Sequence, residues 1–388
     1  MTNVPHAAPA EVLRNPGRSA GADALAGDRA GGPVPRDLHR RLPGYAPTPL
    51  VDAAPLAADL GVGRLWVKDE AWRLGLPAFK MLGASWASYR LLVDRLGAEP
   101  AWSTVEELAE AVAALGPLTL VAATDGNHGR AVARTARMLG LDAHILVPTG
   151  TAGARIEAIA SEGARVDVVD GTYDDAIVAS AALASDDHLV VSDTSWPGYA
   201  DVPRWVIDGY ATIFAEVDEQ LAAAGGSPPD VVVAQMGVGA LAAAAVGHVR
   251  ATAGEDPTVV VVEPLGAACG LRSAEAGETV EVPGPHRSIM AGLNCGLVSE
   301  LAWPTVVAGT DWFVAVSDEA AERAMRDLAT VGVTSGETGA AGLAGLRELV
   351  ASGRADLGPD TTVLVLNTEG PTDPAAYERI TGIAVEPR

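Results

Sequence analysis

Lysine is almost absent from this chain. Of its 27 lysine and arginine residues, only Lys68 and Lys80 are lysines. Arginine can replace lysine wherever only positive charge is needed, but it cannot lose its proton and form a Schiff base with an aldehyde. Lys68 ends a short predicted strand, which favours a structural role. Lys80 precedes a helical pattern and is the first candidate for chemistry, with a solvated surface lysine as the alternative.

Cysteine is equally scarce, since the chain has only Cys269 and Cys295. Two cysteines exclude a disulfide-rich scaffold and a cysteine-rich metal centre. No zinc signature such as HExxH occurs, so no metal site is predicted. From the residues alone the pair is either two buried thiols or one bridge, and two buried thiols are the better prediction.

Long apolar runs and an excess of positive charge are also missing. No stretch of about 18 uninterrupted apolar residues occurs, so no membrane span is predicted. The formal charge of −23 argues against a nucleic acid or an anionic membrane surface as partner. Residues 1–40 lack the apolar segment of a signal peptide. We expect them to form a flexible tail and the protein to be cytoplasmic.

What the chain does contain is a regular alternation of strand-like and helix-like segments. Apolar runs at residues 118–123, 230–235 and 362–366 are typical of buried parallel strands. Helical periodicity separates them, for example at residues 83–96 and 205–224. Such alternation predicts an α/β fold built from βαβ units, with ligand sites at the carboxyl ends of the strands.

Three strand-to-helix loops have unusual content, and the first is residues 124–129, TDGNHG. Glycines flank Asn127, so the backbone can turn tightly and present amide groups to an anion such as a substrate carboxylate. The Asn127 side chain can hydrogen-bond a phenolate-like oxygen. Asp125 is a carboxylate in a loop suited to anions, which points to a chemical role. The alternative is an Asp-Gly turn with a helix cap.

The second loop follows the Val-rich run at residues 230–235 and opens a predicted helix. Glycine-rich loops in that position cradle phosphate with backbone N–H groups and the helix dipole. This one lacks the Lys-Ser/Thr of a nucleotide loop and the third glycine of a dinucleotide fingerprint, so a small phosphate ester fits better. A plain tight turn is the alternative. The loop residues are Gly237, Val238, Gly239, Ala240 and Leu241.

The third loop, residues 367–371 with sequence NTEGP, ends the last predicted strand. The hydroxyl of Thr368 could face a ring nitrogen, although a turn would explain the loop by itself. A Schiff-base lysine, a phosphate cradle, an amide for a phenolic oxygen and a hydroxyl for a ring nitrogen together match pyridoxal 5'-phosphate. This cofactor is an electron sink that the protein orients and tunes.

These residues resemble the fold type II pyridoxal-phosphate enzymes, the tryptophan synthase β-like superfamily, and more narrowly the diaminopropionate ammonia-lyases. The resemblance runs from about residue 40 to the C-terminus. Its specific signal is Asp125, because most fold type II enzymes carry an uncharged residue there. The matching strings are LPGYAPTPL, KDEAWRLGLPAFKMLGAS, ATDGNHGRAVA, QMGVGALA, IMAGLNCG, SGETGAAGLAGL and NTEGPTDP.

The resemblance implies a role for each matching position. Lys80 is expected to hold the cofactor as a Schiff base and to act as a base on one ring face, with Asp125 as the second acid/base on the other. Asn127 is expected to partner the phenolic oxygen, residues 237–241 the phosphate, and Thr368 the pyridine nitrogen. The expected substrate-binding residues are Thr124, Asp125 and His128.

The implied activity is α,β-elimination of 2,3-diaminopropionate, in both D and L forms, to pyruvate and two ammonia. Cleavage of both enantiomers needs a base on each face of the ring. The nearest alternative is a related lyase or dehydratase acting on serine, threonine, hydroxyaspartate or cysteate, and Asp125 argues against it. A catalytically inactive protein that senses an amino acid or the cofactor is the alternative from another class.

The implied fold has two open, mostly parallel α/β domains with the cofactor in the cleft between them. The expected division is a large cofactor-binding domain of residues 41–85 and 197–388 and a smaller domain of residues 86–196. The superfamily implies a homodimer and allows a disulfide between the two cysteines, which a reducing cytoplasm opposes. The sequence leaves open whether Glu337 has a structural or a cation-binding role.

Overall fold

The computed structural model describes residues 9–19, 34–124 and 126–385. Strands and helices alternate over most of this range, which confirms the predicted α/β class. The strands are β1 (Glu11–Arg14), β2 (Leu50–Asp52), β3 (Arg64–Asp69), β4 (Thr119–Ala123), β5 (Asp142–Pro148), β6 (Arg165–Val169), β7 (His188–Val190), β8 (Val231–Gln235), β9 (Thr258–Pro264), β10 (Trp312–Val316) and β11 (Thr362–Asn367). The α-helices are α1 (Pro35–His39), α2 (Ala54–Leu60), α3 (Met81–Leu96), α4 (Val105–Ala113), α5 (Asn127–Met138), α6 (Gly153–Ala160), α7 (Tyr173–Ala181), α8 (Asp201–Ala223), α9 (Ala240–Thr252), α10 (Cys269–Ala276), α11 (Trp303–Gly309), α12 (Asp318–Thr330), α13 (Glu337–Ser352) and α14 (Pro374–Thr381).

The larger of two sheets has seven strands in the order β1-β10-β9-β8-β11-β3-β2. Its five central strands are parallel, and the edge strands β1 and β2 run antiparallel to their neighbours. The central strands are nearly continuous apolar runs because both faces of the sheet pack into the hydrophobic core. The carboxyl ends of β3, β8 and β11 therefore open on one edge of the sheet.

The smaller sheet has four parallel strands in the order β6-β5-β4-β7. All four strands come from the middle of the chain, and α8 then leads back to the larger sheet. Both sheets are open and mostly parallel, as predicted. The domain boundaries at residues 41, 85 and 197 remain a prediction.

Helices α3 and α8 approach each other closely enough to require glycine on both. A Cβ atom on Gly209 would lie 2.5 Å from the carbonyl oxygen of Leu82, and one on Gly83 would lie 2.6 Å from the ring of Tyr210. Larger residues at either position would push the helices apart. Because Lys80 is the N-cap residue of α3, this contact fixes the helix that follows Lys80.

Lys68 belongs to a buried network of charges. Its Nζ donates to Glu216 over 2.8 Å, Arg73 donates to Glu216 over 2.7 Å, and Arg73 also pairs with Glu70. None of these four side chains is exposed. Burial alone would raise the pKa of Glu216, but the bonds and charges of Arg73 and Lys68 lower it to about 2. The network ties α8 to the segment between β3 and Lys80.

Glu216→Ala should destabilise the fold by about 3–5 kcal/mol, because buried Lys68 loses its paired carboxylate and buried Arg73 keeps only Glu70. Denaturant unfolding would measure the loss. Glu219→Ala is the control, since Glu219 is exposed on the same helix and pairs with Arg36 at the surface. In the wild type, the contribution of Glu216 is present above its ordinary pKa of 4.5 and should be lost as the pH falls towards 2. Equal stability of the two variants would contradict the assignment.

The N-terminal region differs from its prediction as a flexible tail. Residues 11–14 form β1, which pairs with β10, and residues 35–39 form α1. Val12 and Leu13 pack on opposite faces of the larger sheet, which explains the added edge strand. Residues 1–8 and 20–33 of the expected tail lie outside the described residues.

Helices α10, α11 and α14 were not predicted. Each has seven or eight residues, which is too short for a clear helical period in the sequence. Among the helices that the structure describes, none is both long enough and apolar enough to cross a bilayer.

Candidate active site

One cleft collects the segments that follow strands of both sheets. It encloses about 700 Å³ including the solvent at its mouth, a size typical of small-molecule sites. Lys80, Asn127, Thr368 and residues 237–241 all line it. The cleft is also lined by His128, Tyr173, Asp193, Gln235, Thr338 and Glu369.

The segment from β3 brings Lys80 beside the chain that leaves β11. The Phe79 N–H donates to the carbonyl oxygen of Thr368 over 3.3 Å, and the Gly370 N–H donates to that of Pro77 over 3.0 Å. The two segments therefore run antiparallel to each other. As a result, Lys80 and Thr368 enter the cleft side by side, although four strands of the larger sheet and all four of the smaller sheet lie between them in the sequence.

Lys80 faces a carboxylate that sequence reasoning missed. Its Nζ donates to Oδ2 of Asp193 over 2.7 Å, and the Tyr173 hydroxyl donates to Oδ1 over 3.2 Å. Burial would raise the pKa of Asp193, but the charges of Lys80 and His128 and these hydrogen bonds hold it well below its usual range. Asp193 is therefore ionised at neutral pH. The sequence feature that could have identified Asp193 is an acidic residue just past the end of β7.

Asn127 was predicted in the loop at residues 124–129, but α5 already begins at this residue. Its side chain has a specific partner. Its Nδ2 donates to Oε2 of Glu369 over 2.5 Å. Glu369 is 3 % exposed and lies directly after Thr368. A second buried carboxyl group thus lines the cleft, and sequence reasoning had treated its loop only as the source of a hydroxyl.

Thr124 and His128, which lie on either side of Asn127 in the loop at residues 124–129, differ in where their side chains lie. Thr124 is buried behind the loop, where its hydroxyl accepts hydrogen bonds from the N–H groups of Gly126 and Gly129 at 2.9 and 3.0 Å. It shapes the loop and does not line the cleft. His128 does line the cleft, and its Nε2 is hydrogen-bonded to the carbonyl oxygen of Val191 over 2.7 Å. Asp125 lies outside the described residues.

The loop at residues 237–241 needs its two glycines for different reasons. A Cβ atom on Gly237 would lie 3.1 Å from both Cys295 Sγ and the carbonyl oxygen of Gly292. Gly239 has φ +111°, a conformation that favours glycine, and it is the N-cap residue of α9. The first N–H groups of a helix have no partner within it, so this loop can offer several donors to an anion in the cleft.

The hydroxyl of Thr368 is held so that it can donate into the cleft. The Gln235 amide nitrogen lies within 2.9–3.2 Å of three backbone carbonyl oxygens, which identifies that end as the donor. It also donates to Thr368 Oγ1 over 3.2 Å. The Thr368 hydroxyl accepts there, so its own hydrogen can be offered to an unprotonated ring nitrogen.

Cys269 and Cys295 are both buried and are not joined by a disulfide. Burial raises the pKa of the Cys269 thiol well above its ordinary value, and the nearby Glu263 carboxyl raises it further. A thiol in such surroundings is chemically inert. The pair thus matches the prediction made from the residues alone, and the bridge that the resemblance allows is not formed.

Glu337 begins α13 close to the cleft, and burial raises its pKa. Within the described ranges no group of three or more His, Cys, Asp or Glu side chains could hold a metal ion.

The residues of the cleft fit pyridoxal 5'-phosphate. A primary amine, a glycine loop at a helix N-terminus and a hydroxyl donor suit its aldehyde, its phosphate and its ring nitrogen. The Asn127 amide suits its phenolic oxygen. The loop at residues 237–241 lines the cleft at the N-terminus of α9, which is a favourable position for an anion such as phosphate.

Comparison with known proteins gives the same result. The family model described as pyridoxal-phosphate dependent enzyme matches residues 41–369. Diaminopropionate ammonia-lyase of Salmonella typhimurium is 37 % identical over 365 residues, covering 88 % of this chain and 90 % of the relative. The enzyme of that name from Escherichia coli K12 is 37 % identical, covering 89 % of each chain.

Solved structures are similar over almost the whole chain. Diaminopropionate ammonia-lyase of Escherichia coli, in complex with an aminoacrylate–PLP azomethine reaction intermediate, has a TM-score of 0.87 at 34 % identity and covers 96 % of both chains. Tomato threonine deaminase has a TM-score of 0.72 at 22 % identity, covering 97 % of this chain and 98 % of that one. The second similarity concerns the fold alone, and both agree with the fold type II prediction.

Proposed function

The chain belongs to the pyridoxal-phosphate dependent enzymes, and from that premise we propose that it eliminates ammonia from 2,3-diaminopropionate to give pyruvate and two ammonia. The observation that carries the proposal is the cleft in which Lys80, the 237–241 loop, Asn127 and Thr368 meet. The diaminopropionate ammonia-lyases, which are similar over about nine-tenths of the chain, support the substrate.

Each part of the cleft has one task in this proposal. When bound, the cofactor supplies an electron sink for the α-carbon of the substrate. Lys80 would hold its aldehyde carbon, residues 237–241 its phosphate and Thr368 its ring nitrogen. Asn127 would donate to its phenolic oxygen. These residues would orient the cofactor for each turnover.

Asp193 would hold the Lys80 amine whenever that amine is free in the cleft. The distance of 2.7 Å from Lys80 Nζ to Asp193 Oδ2 lets the carboxylate orient the released amine. Lys80 then removes the α-proton of one enantiomer, and the resulting ammonium group is stabilised by Asp193. The Tyr173 hydroxyl holds the other carboxylate oxygen and keeps Asp193 in place.

Asp125 is the base that we propose for the other enantiomer. Asp125→Asn should lower kcat on D-diaminopropionate by about 10²–10⁴-fold while sparing most activity on the L-isomer, because the side chain keeps its size and loses its basicity. Pyruvate formation from each isomer measures the effect. Equal loss on both isomers would contradict a division of labour between two bases.

The substrate is tested by the visible absorbance of the purified protein before and after addition of each isomer. A cofactor band that changes as pyruvate forms from both isomers is the expected result. Serine, threonine, hydroxyaspartate and cysteate are the comparison substrates. A cofactor band that responds only to one of these would move the activity to a related lyase or dehydratase, and no band at all would overturn the cofactor assignment.

We also propose that the protein acts in the cytoplasm as a homodimer and that its substrate is a small amino acid. The resemblance to the superfamily supports the dimer. Light scattering of the purified holoenzyme tests it, and a mass of one chain, 39.5 kDa, would contradict it.

A further inference from the structure

Glu369 is a buried carboxyl group in the cleft to which the mechanism above gives no task. Both of its oxygens are engaged. Oε2 accepts from Asn127 Nδ2 over 2.5 Å, and Oε1 accepts from the backbone N–H of Thr338 over 3.1 Å. Backbone bonds hold the residue itself, since its carbonyl oxygen accepts from the Gly336 N–H over 3.0 Å. The Glu369 carboxyl group is therefore held in place, and one of its two acceptor oxygens faces Asn127.

From this geometry we propose that Glu369 is a positioning residue that sets which way the Asn127 amide faces, and thereby aims an N–H of Asn127 at the phenolic oxygen of the cofactor. The inference rests on the proposed function, because it concerns the same bound cofactor. It adds a residue that lies outside the phosphate loop and acts through Asn127.

The argument depends on the two ends of an amide being different. Asn127 Nδ2 carries two hydrogens, so a bond to Glu369 leaves the second for the cleft that Asn127 lines. The reversed amide would bring its oxygen against a carboxylate oxygen, and two acceptors repel. Without an acceptor at residue 369, neither contact would favour one orientation of the Asn127 amide over the other.

A carboxylate is the side chain that can accept from both neighbours at once. Glutamine at residue 369 would offer one oxygen and one NH₂ group, so it would have to present an N–H either to the Thr338 N–H or to Asn127. Since the Thr338 donor belongs to the backbone and cannot turn, the Asn127 amide is the group that would rotate.

The charges around Glu369 come from two helices, α6 and α13. Burial raises the pKa of Glu369, the nearby Glu337 at the start of α13 raises it further, and Arg155 on α6 lowers it. The bonds from Thr338 and Asn127 also lower it. The net effect is a raised pKa of Glu369, while the two N–H donors on separate oxygens favour the ionised form, in which both oxygens accept.

The test is a double-mutant cycle read out by cofactor binding and by the resting spectrum, without substrate. Asn127→Ala and Glu369→Gln should each raise the dissociation constant of pyridoxal 5'-phosphate about tenfold. Both should alter the ratio of the cofactor's absorption bands in the same direction. The double variant should bind no more weakly than Asn127→Ala, because Glu369 acts through Asn127. Wild-type binding by Glu369→Gln, or losses that multiply in the double variant, would overturn the proposal.

Glu263→Gln is the matched control. Glu263 is fully buried and accepts two backbone N–H groups at 2.8 Å, from Gly270 and Leu271, but it does not line the cleft. The Glu263→Gln substitution should lower the melting temperature without changing cofactor binding or the ratio of the cofactor's absorption bands. A Glu369→Gln protein that behaves in the same way would reduce Glu369 to a structural residue. A wild-type protein that binds no pyridoxal phosphate would overturn the proposed function as well, so the two failures are distinguishable.

Discussion

Lys80→Ala should lose turnover on both isomers of diaminopropionate, by on the order of 10⁴-fold or more, as when a covalent catalytic group is removed. Lys80 is the amine in the cleft that can be displaced and restored, and alanine leaves no group for either step. Pyruvate formation measures the loss. The visible band of the resting protein should change with it, because the cofactor can no longer be joined to the chain.

Lys80→Arg is the matched variant, since arginine keeps the positive charge that faces Asp193 but cannot form a Schiff base. It should be as inactive as Lys80→Ala while folding normally. Reduction of the wild type with borohydride should leave the cofactor on one peptide, and the assignment is simple because Lys68 is the only other lysine and is fully buried. Label on any peptide that lacks Lys80 would contradict the mechanism.

Asp193→Asn should lower kcat by about 10²–10⁴-fold on both isomers while the cofactor stays bound. The amide keeps the size of the carboxylate and loses the charge that stabilises Lys80 as it gains the substrate proton. The effect on both isomers sets this variant apart from Asp125→Asn, for which loss on one isomer is expected. Steady-state kinetics on each isomer and the resting spectrum together measure it.

The control for Asp193→Asn is Asp167→Asn. Asp167 also has basic partners, His144 and Arg165, but it lies at the surface of the smaller sheet. It should leave kcat unchanged. An Asp193→Asn enzyme with a kcat within a few-fold of the wild type would remove Asp193 from the reaction and leave it a structural partner of Lys80.

Much of the fold could be predicted because its signals are local. The strands predicted at residues 118–123, 230–235 and 362–366 are confirmed to within one residue, and the helix predicted at residues 83–96 is confirmed to within two. Apolar runs and helical periods are properties of neighbouring residues, so they can be read along the chain. Edge strand β1 could not be predicted, because its stability comes from a partner about 300 residues away.

The candidate site likewise has features that the sequence predicts and features that depend on the tertiary structure. The sequence by itself determined the family, the cofactor and the loops that carry Lys80, Asn127, Gly237 and Thr368, because each loop has its own composition and follows its own strand. Only the tertiary structure decided which side chains meet: that Asp193 faces Lys80 across 113 positions, that Glu369 holds Asn127 across 242, and that Thr124 turns away from the cleft. Hydrogen bonds between distant residues depend on how two sheets pack, and no local pattern encodes that.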